Sequence, residues 1–244
     1  MVLALALLPG AGNFIGGAIA EVVETSPERL NQALHAAAGI VLAIVAVELL
    51  PDAYEALSGW WIALAFALGG ITFVALEALV SGVSRTAGGV GSGARTSALM
   101  IYFAFALDLA ADGLMIGSGS AVSLSLAVAL AAGLVAADLP AGYATIANLK
   151  AQNTPRRQRL MIALSFFVYV VGAALLSFYL LSGASDGLKA GALVFVAGLL
   201  TVAAVEDMME AAHDASEDNK VSVLAFVGGF ALFTAVSAGL ASAL

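Results

Sequence analysis

The sequence predicts an all-α integral membrane protein. Eight transmembrane helices form one domain, 1–244, with segments 1–3 and 6–8 as an inverted repeat around a central pair, segments 4 and 5. Three observations carry this. The 244 residues are 62% hydrophobic and only 11% charged, with mean hydropathy +1.04; a soluble domain has roughly 25% charged residues. The apolar runs are about 20 residues long, the length a helix needs to cross a bilayer core. Two of the runs, the second and the seventh, share a residue pattern.

The eight segments are 2–22, 34–56, 59–83, 96–118, 121–149, 157–182, 188–212 and 221–243. Segment one is apolar from Met1 and has no basic flank, so it reads as a retained helix and not a cleaved signal. The connections carry turn residues: Thr25-Ser26-Pro27, Pro51-Asp52, Asn153-Thr154-Pro155 and Gly183-Ala184-Ser185-Asp186. The stretch Gly88-Gly89-Val90-Gly91-Ser92-Gly93 reads as a flexible linker. There is no cysteine, which excludes disulfides and thiolate ligands.

Loops after segments one, three, five and seven hold Arg29, Arg85, Arg95, Lys150, Arg156, Arg157, Arg159 and Lys220; the loops on the other side hold only Lys189. The positive-inside rule therefore predicts a plasma-membrane protein with these eight cations in the cytoplasm and both termini outside. Arg156, Arg157 and Arg159 read as a topology signal facing anionic lipid, not as a nucleic-acid patch. The expected partners are the lipid bilayer and a divalent cation, with no nucleic acid.

Segment two reads Ala38-Gly39, an apolar run, then Val47-Glu48-Leu49-Leu50-Pro51-Asp52-Ala53. Segment seven reads Ala197-Gly198, an apolar run one residue shorter, then Val205-Glu206-Asp207-Met208-Met209-Glu210-Ala211. The topology points these two in opposite directions, which predicts an inverted repeat of the kind secondary transporters use. It places Glu48 near the outer mouth and Glu206 and Glu210 near the inner one.

Asp108 and Asp112 of segment four and Asp138 of segment five lie mid-span. An ionised carboxylate at the bilayer centre costs about 2.5–3.5 kcal/mol on insertion scales, so such residues mark ion or proton paths. Asp108 and Asp112 are one turn apart and share a face, which Met115 joins with a thioether. Pro140, just after Asp138, removes a helix hydrogen bond and is expected to free carbonyls near Ala136 and Ala137. Three carboxylates with carbonyls and water suit a divalent cation, and an all-oxygen set favours harder ions such as Mn²⁺ or Mg²⁺. The plainer alternative is protonated aspartates hydrogen-bonding between helices.

Other residues divide between the two ends. Glu48 lies deep in apolar sequence and reads as an outer gate or proton carrier. His213 lies beside Asp207, Glu210 and Asp214, and with His35 it offers an inner exit site. His35 alone reads as a solvated helix-end imidazole. Glu77 reads as snorkelling or as pairing with Arg85. Gly10, Gly12, Gly16 and Gly17 suit close helix packing. Trp60 and Trp61 suit an interfacial belt.

Taken together, Asp108-Leu109-Ala110-Ala111-Asp112-Gly113 and Ala137-Asp138-Leu139-Pro140-Ala141-Gly142 resemble the fourth- and fifth-span motifs of the ZIP (Zrt/Irt-like) family of divalent-metal transporters. The ends of segments two and seven look like that family's too. The family pattern has His and Asn where Asp108 and Leu109 stand, and His and Glu where Ala137 and Ala141 stand. What remains supports one ion, held by Asp108, Asp112 and Asp138. The resemblance implies eight spans, a homodimer, and transport towards the cytoplasm between helices 2, 4, 5 and 7, with Zn²⁺ first and Mn²⁺, Fe²⁺ or Co²⁺ next. The metal is substrate, and no cofactor is implied. The substitutions leave open a non-transporting metal sensor or degenerate member. An enzyme is not expected: a membrane aspartyl protease needs a proton-sharing Asp pair, and Asp108 and Asp112 sit on one helix with no partner motif.

Overall fold

The computed structural model describes residues 1–87 and 93–243. Residues 88–92 of the glycine-rich linker and the side chains of Arg85, Arg95 and Asp207 lie outside the described residues. Among those described, eight helices are long and apolar enough to cross a membrane. In chain order they are α1 Val2–Val22, α2 Pro27–Ala56, α3 Gly59–Ala87, α4 Gly93–Val122, α5 Leu124–Ala151, α6 Arg156–Leu181, α7 Asp186–Ala215 and α8 Lys220–Ala243.

At four places the structure differs from or refines the sequence reading. α2 begins at Pro27, not residue 34, because Ser26 caps it and Pro27 occupies its first turn. Its first two turns are polar, so a hydropathy count misses them. Pro51-Asp52 is not a turn; the helix continues through Leu50–Ala56 and ends before Ser58. α4 begins at Gly93, three residues before the expected start. Finally, α5 runs unbroken through Pro140. The carbonyl that Pro140 strands is that of Ala136, four residues back. Ala136 is exposed and lies about 200° around the helix from Asp138, so the freed carbonyl does not join the aspartates.

The helices form an inner and an outer group. The apolar windows of α2, α4 and α5 are 61% buried and that of α7 56%, against 17% for α3 and α8. The interior is thus four helices, α2, α4, α5 and α7, wider than the expected central pair. Each inner helix carries one outer partner: α1 on α5, α6 on α4, α8 on α2 and α3 on α7. With no water to drive association, such contacts rely on close packing over small residues. A Cβ at Gly39 of α2 would stand 2.1 Å from the Phe226 carbonyl of α8, and one at Gly198 of α7 would stand 2.1 Å from the Phe66 carbonyl of α3. These helices touch backbone to backbone.

α2 and α7 share a second feature. Each is interrupted by one π turn, Val45–Leu49 and Ala204–Met208, starting six residues after Gly39 and Gly198. Such bulges occur most often at functional sites. Pro51, whose missing N–H leaves the Val47 carbonyl without a helix partner, explains the first. α7 has no proline, so the second has a different origin.

α1 meets α5 as closely. A Cβ at Gly16 would lie 1.9 Å from the Leu139 carbonyl, whereas one at Gly172 meets nothing within 4 Å. Gly16→Ala is therefore expected to cost at least the 1–3 kcal/mol of an overpacked core. Gly172→Ala is expected to be neutral or to gain up to about 1 kcal/mol from helix propensity. Thermal unfolding of the detergent-solubilised pair checks both signs.

Candidate functional site

Asp138 lies about 20 Å along the helix axis from either end of α5, and Asp112 lies about 15 Å from the Val122 end of α4. Both are at mid-membrane depth. Asp108, Asp112 and Asp138 are 4%, 2% and 1% exposed. The Asp112 and Asp138 side chains face one another, with Asp108 close to Asp138. They do not close into a compact triad. The described residues hold only one set of three His, Asp or Glu ligand atoms within 4.8 Å of one another, and it lies elsewhere. Met115 is fully buried in the apolar core beside Ile116.

The glycines following these aspartates explain how the carboxylates are set. Gly142, one turn after Asp138, receives the backbone of Asn13: a Cβ there would lie 2.1 Å from the Asn13 carbonyl. Gly12 in turn sits 3.4 Å from the Asp138 Cβ, measured from its own ideal Cβ. Gly113, directly after Asp112, packs α4 onto α6: a Cβ there would lie 2.3 Å from the Val170 carbonyl. Small residues therefore draw α1 and α6 in around the acids.

Asn13 was missed in the sequence. It is 1% exposed and sits against Asp138. Its Oδ1 and Nδ2, together with Asp112 Oδ2 and Asp138 Oδ2, are buried without a well-formed hydrogen bond. An unpaired buried polar atom costs about 1–3 kcal/mol. The available signal was a lone amide in the middle of the apolar first segment.

The two ends of the bundle differ. At the end holding the α2–α3, α4–α5 and α6–α7 loops, an open cavity of about 570 Å³ is lined by Asp52, Glu55, Ser123, Asp186 and Lys189 among others. Glu48, one turn inside Asp52, is half-buried and accepts a hydrogen bond from Ser237 Oγ of α8. At the opposite end, Glu206 and Glu210 lie near Glu77. Glu77 thus faces acids and does not simply snorkel.

His213 is placed with His35, as expected, but their shared partner is Asp218 and not Glu206 or Glu210. The rings meet edge to face at 6.0 Å. His35 is only 2% exposed, which corrects its reading as a solvated imidazole. The polar first turns of α2 carry it inward. Asp218, in the loop before α8, is held below the usual carboxylate range. Its hydrogen bond from Asn31 is the main cause; His213 and His35 add to it, against partial desolvation. Neither Asn31 nor Asp218 was singled out in the sequence.

Arg159 also departs from expectation. It does not face lipid headgroups; it is buried and forms a two-pronged pair with Glu21, at 2.6 Å (Nε–Oε1) and 2.8 Å (Nη2–Oε2). It also donates to the Thr154 carbonyl. This pair joins the end of α1 to the start of α6. Trp60 and Trp61 are 88% and 63% exposed, as a belt requires.

No protein-family model matches the chain, and no characterised protein matches it either.

Arg159→Ala is expected to destabilise the protein by about 1.5–3 kcal/mol, the value of a hydrogen bond to a charged group. Arg157→Ala, at an exposed position, should change stability by less than about 0.5 kcal/mol. Melting temperatures of the two variants separate the pairing role from a generic basic patch.

Proposed function

We propose that this protein carries a divalent transition-metal cation across a membrane, binding it at the mid-membrane cluster of Asp108, Asp112, Asp138 and Asn13. The observation that carries this reading is the cluster's unmet polar atoms. Buried carboxylates about 15–20 Å along the helix axis from the helix ends are retained against a cost of several kcal/mol. The Asn13 amide oxygen, Asp112 Oδ2 and Asp138 Oδ2 are buried acceptors without a well-formed hydrogen bond. A divalent cation supplies what these oxygens lack. Two carboxylates neutralise it and a third holds a proton or releases one.

Several features support movement along an axis. The acidic cavity with Asp52 and Glu55 offers an entry, with Glu48 one turn deeper. Glu206, Glu210 and Glu77 lie towards the other end. The matched π turns and the matched glycine crossings of α2 on α8 and α7 on α3 support an inverted repeat of 1–3 and 6–8. The excess of basic loop residues at the second end supports placing it in the cytoplasm, with uptake directed there. The likeness of the Asp112-Gly113 and Pro140-Ala141-Gly142 motifs to ZIP transporters points to the same class of cargo, Zn²⁺, Mn²⁺, Fe²⁺ or Co²⁺.

A second reading is binding without transport. It is favoured by Ala137 and Ala141, which are 0% and 5% exposed and bring no ligand to the centre.

Proteoliposome uptake across a panel of Zn²⁺, Mn²⁺, Fe²⁺, Co²⁺ and Cd²⁺ decides between them. Wild-type protein is expected to move at least one ion down its gradient. Asp138→Ala should lose that flux, and Asn13→Ala should lower it by about tenfold, as loss of a supporting partner does. Metal-dependent stabilisation of wild type without flux would establish the second reading; neither flux nor stabilisation would sink both.

A further inference from the structure

The cluster at the basic end of the bundle has a geometry of its own. One ring nitrogen each of His35 and His213 and a carboxylate oxygen of Asp218 lie within 4.8 Å of one another. The ligands come from α2, from the last turns of α7 and from the α7–α8 loop, so no single helix makes the group by chance of periodicity. We propose that His35, His213 and Asp218 form a second cation site, separate from the central carboxylates and selective for borderline ions such as Zn²⁺ and Co²⁺.

The orientation of His35 is the first reason. Its Nδ1 lies 2.9 Å from the backbone carbonyl of Asn31. A carbonyl only accepts, so Nδ1 carries the proton and donates it. In the neutral ring Nε2 is then left with its lone pair. That lone pair faces Asp218 Oδ1 at 3.4 Å, long for a hydrogen bond. It is close to the roughly 3.3 Å that separates two ligands on a tetrahedral ion with bonds near 2.0–2.1 Å. Metal-binding histidines typically donate their other ring nitrogen to a carbonyl or carboxylate, which fixes the tautomer in this way.

The second reason is the support behind Asp218. Asn31 Nδ2 donates to Asp218 Oδ1 at 2.9 Å, and to the carbonyls of Ala212 and Ser216 at 3.0 Å each. Ser222 Oγ donates to Asn31 Oδ1. Asn31 is wholly buried. A loop carboxylate is thereby held in place by an amide that is itself held on both sides, and His213 Nε2 donates to its other oxygen at 2.8 Å; an ion bound at Nε2 would take the place of that proton, with the ring proton on Nδ1. The supporting shell lies behind the ligands, where a preorganised metal site needs it.

The chemistry of the donors sets the ion. Two imidazoles and one carboxylate are the donor set of open zinc centres, which keep a fourth position for solvent. Mg²⁺ and Ca²⁺ prefer all-oxygen sets. His213 is half-exposed, so the fourth position faces water. The centre in mid-membrane is all oxygen and amide, so the two sites differ in kind. The plain alternative is a proton-bridged latch in which a charged histidine pairs with Asp218. It gives the same contacts with no metal.

Co²⁺ titration of the purified full-length protein in detergent separates the two, because Co²⁺ in a tetrahedral nitrogen–oxygen site absorbs visibly. Asp112→Asn with Asp138→Asn silences the central cluster. His213→Ala and Asp218→Asn change exposed positions and so spare the fold, which size exclusion verifies. Wild type and the central double variant are expected to develop the same Co²⁺ band, with Zn²⁺ displacing it and excess Mg²⁺ not. His213→Ala and Asp218→Asn are each expected to weaken Co²⁺ binding about tenfold or more. The proposal is overturned if no band develops in wild type, if the band survives both end variants, or if the central double variant abolishes it. None of these readings needs flux, so an absence of transport in liposomes leaves the result intact.

Discussion

Backbone-to-backbone contact between α1 and α5 is the constraint on which the centre depends. Gly16 lies against the Leu139 carbonyl and Gly142 against Asn13. Only hydrogen atoms fit between the helices there. That contact places the Asn13 amide beside Asp138, in a layer where every polar group must find a partner inside the protein. Gly113 does the same for α4 and α6, one residue after Asp112. The aspartates and the glycines that follow them thus form single units. The acid supplies the charge, and the glycine brings in a neighbouring helix to enclose it.

The outer helices follow a parallel rule. α8 crosses α2 at Gly39 and Gly229, and α3 crosses α7 at Gly69 and Gly198. In each case the inner helix carries a π turn further along. A π turn inserts one residue and rotates everything beyond it by about 100°. It thereby re-aims the helix end beyond, where Asp52 follows in α2 and Glu210 and His213 follow in α7. The same packing device precedes the acidic cavity at one end and the histidine cluster at the other.

Much of this could be read from the residues. Eight spans, the close-packing glycines of α1 and the burial of Asp108, Asp112 and Asp138 follow from hydropathy and from the rarity of mid-span acids. The failures share a physical cause: each lies where tertiary contact overrides local pattern. Arg159 sits in a basic run, so charge counting assigns it to headgroups; only the fold brings Glu21 of α1 to it. The first turns of α2 are polar because they pack against α7 and α8 through Asn31 and His35, not because they are loop. Asp218 is an unremarkable loop acid until a residue 187 positions away holds it. Pro140 is recognisable as a helix perturbation, but which way its stranded carbonyl points depends on the face that Ala136 presents. Asn13 is the instructive omission, since one amide in a 21-residue apolar helix carries the same burial cost that drew attention to the aspartates.

The two clusters also differ in charge, and that difference has a direction. With a divalent ion, three carboxylates leave the centre at −1 unless one holds a proton, whereas two neutral imidazoles and one carboxylate leave the end site at +1. An ion at the centre is overcompensated in low dielectric, where an unbalanced charge is costly. An ion at the end site is undercompensated but sits beside water, where screening makes the imbalance cheap. On the proposed reading, an ion would be held at the centre by charge and at the end by ligand type. Passing from oxygen donors to imidazole while regaining water would then exchange one kind of stabilisation for another.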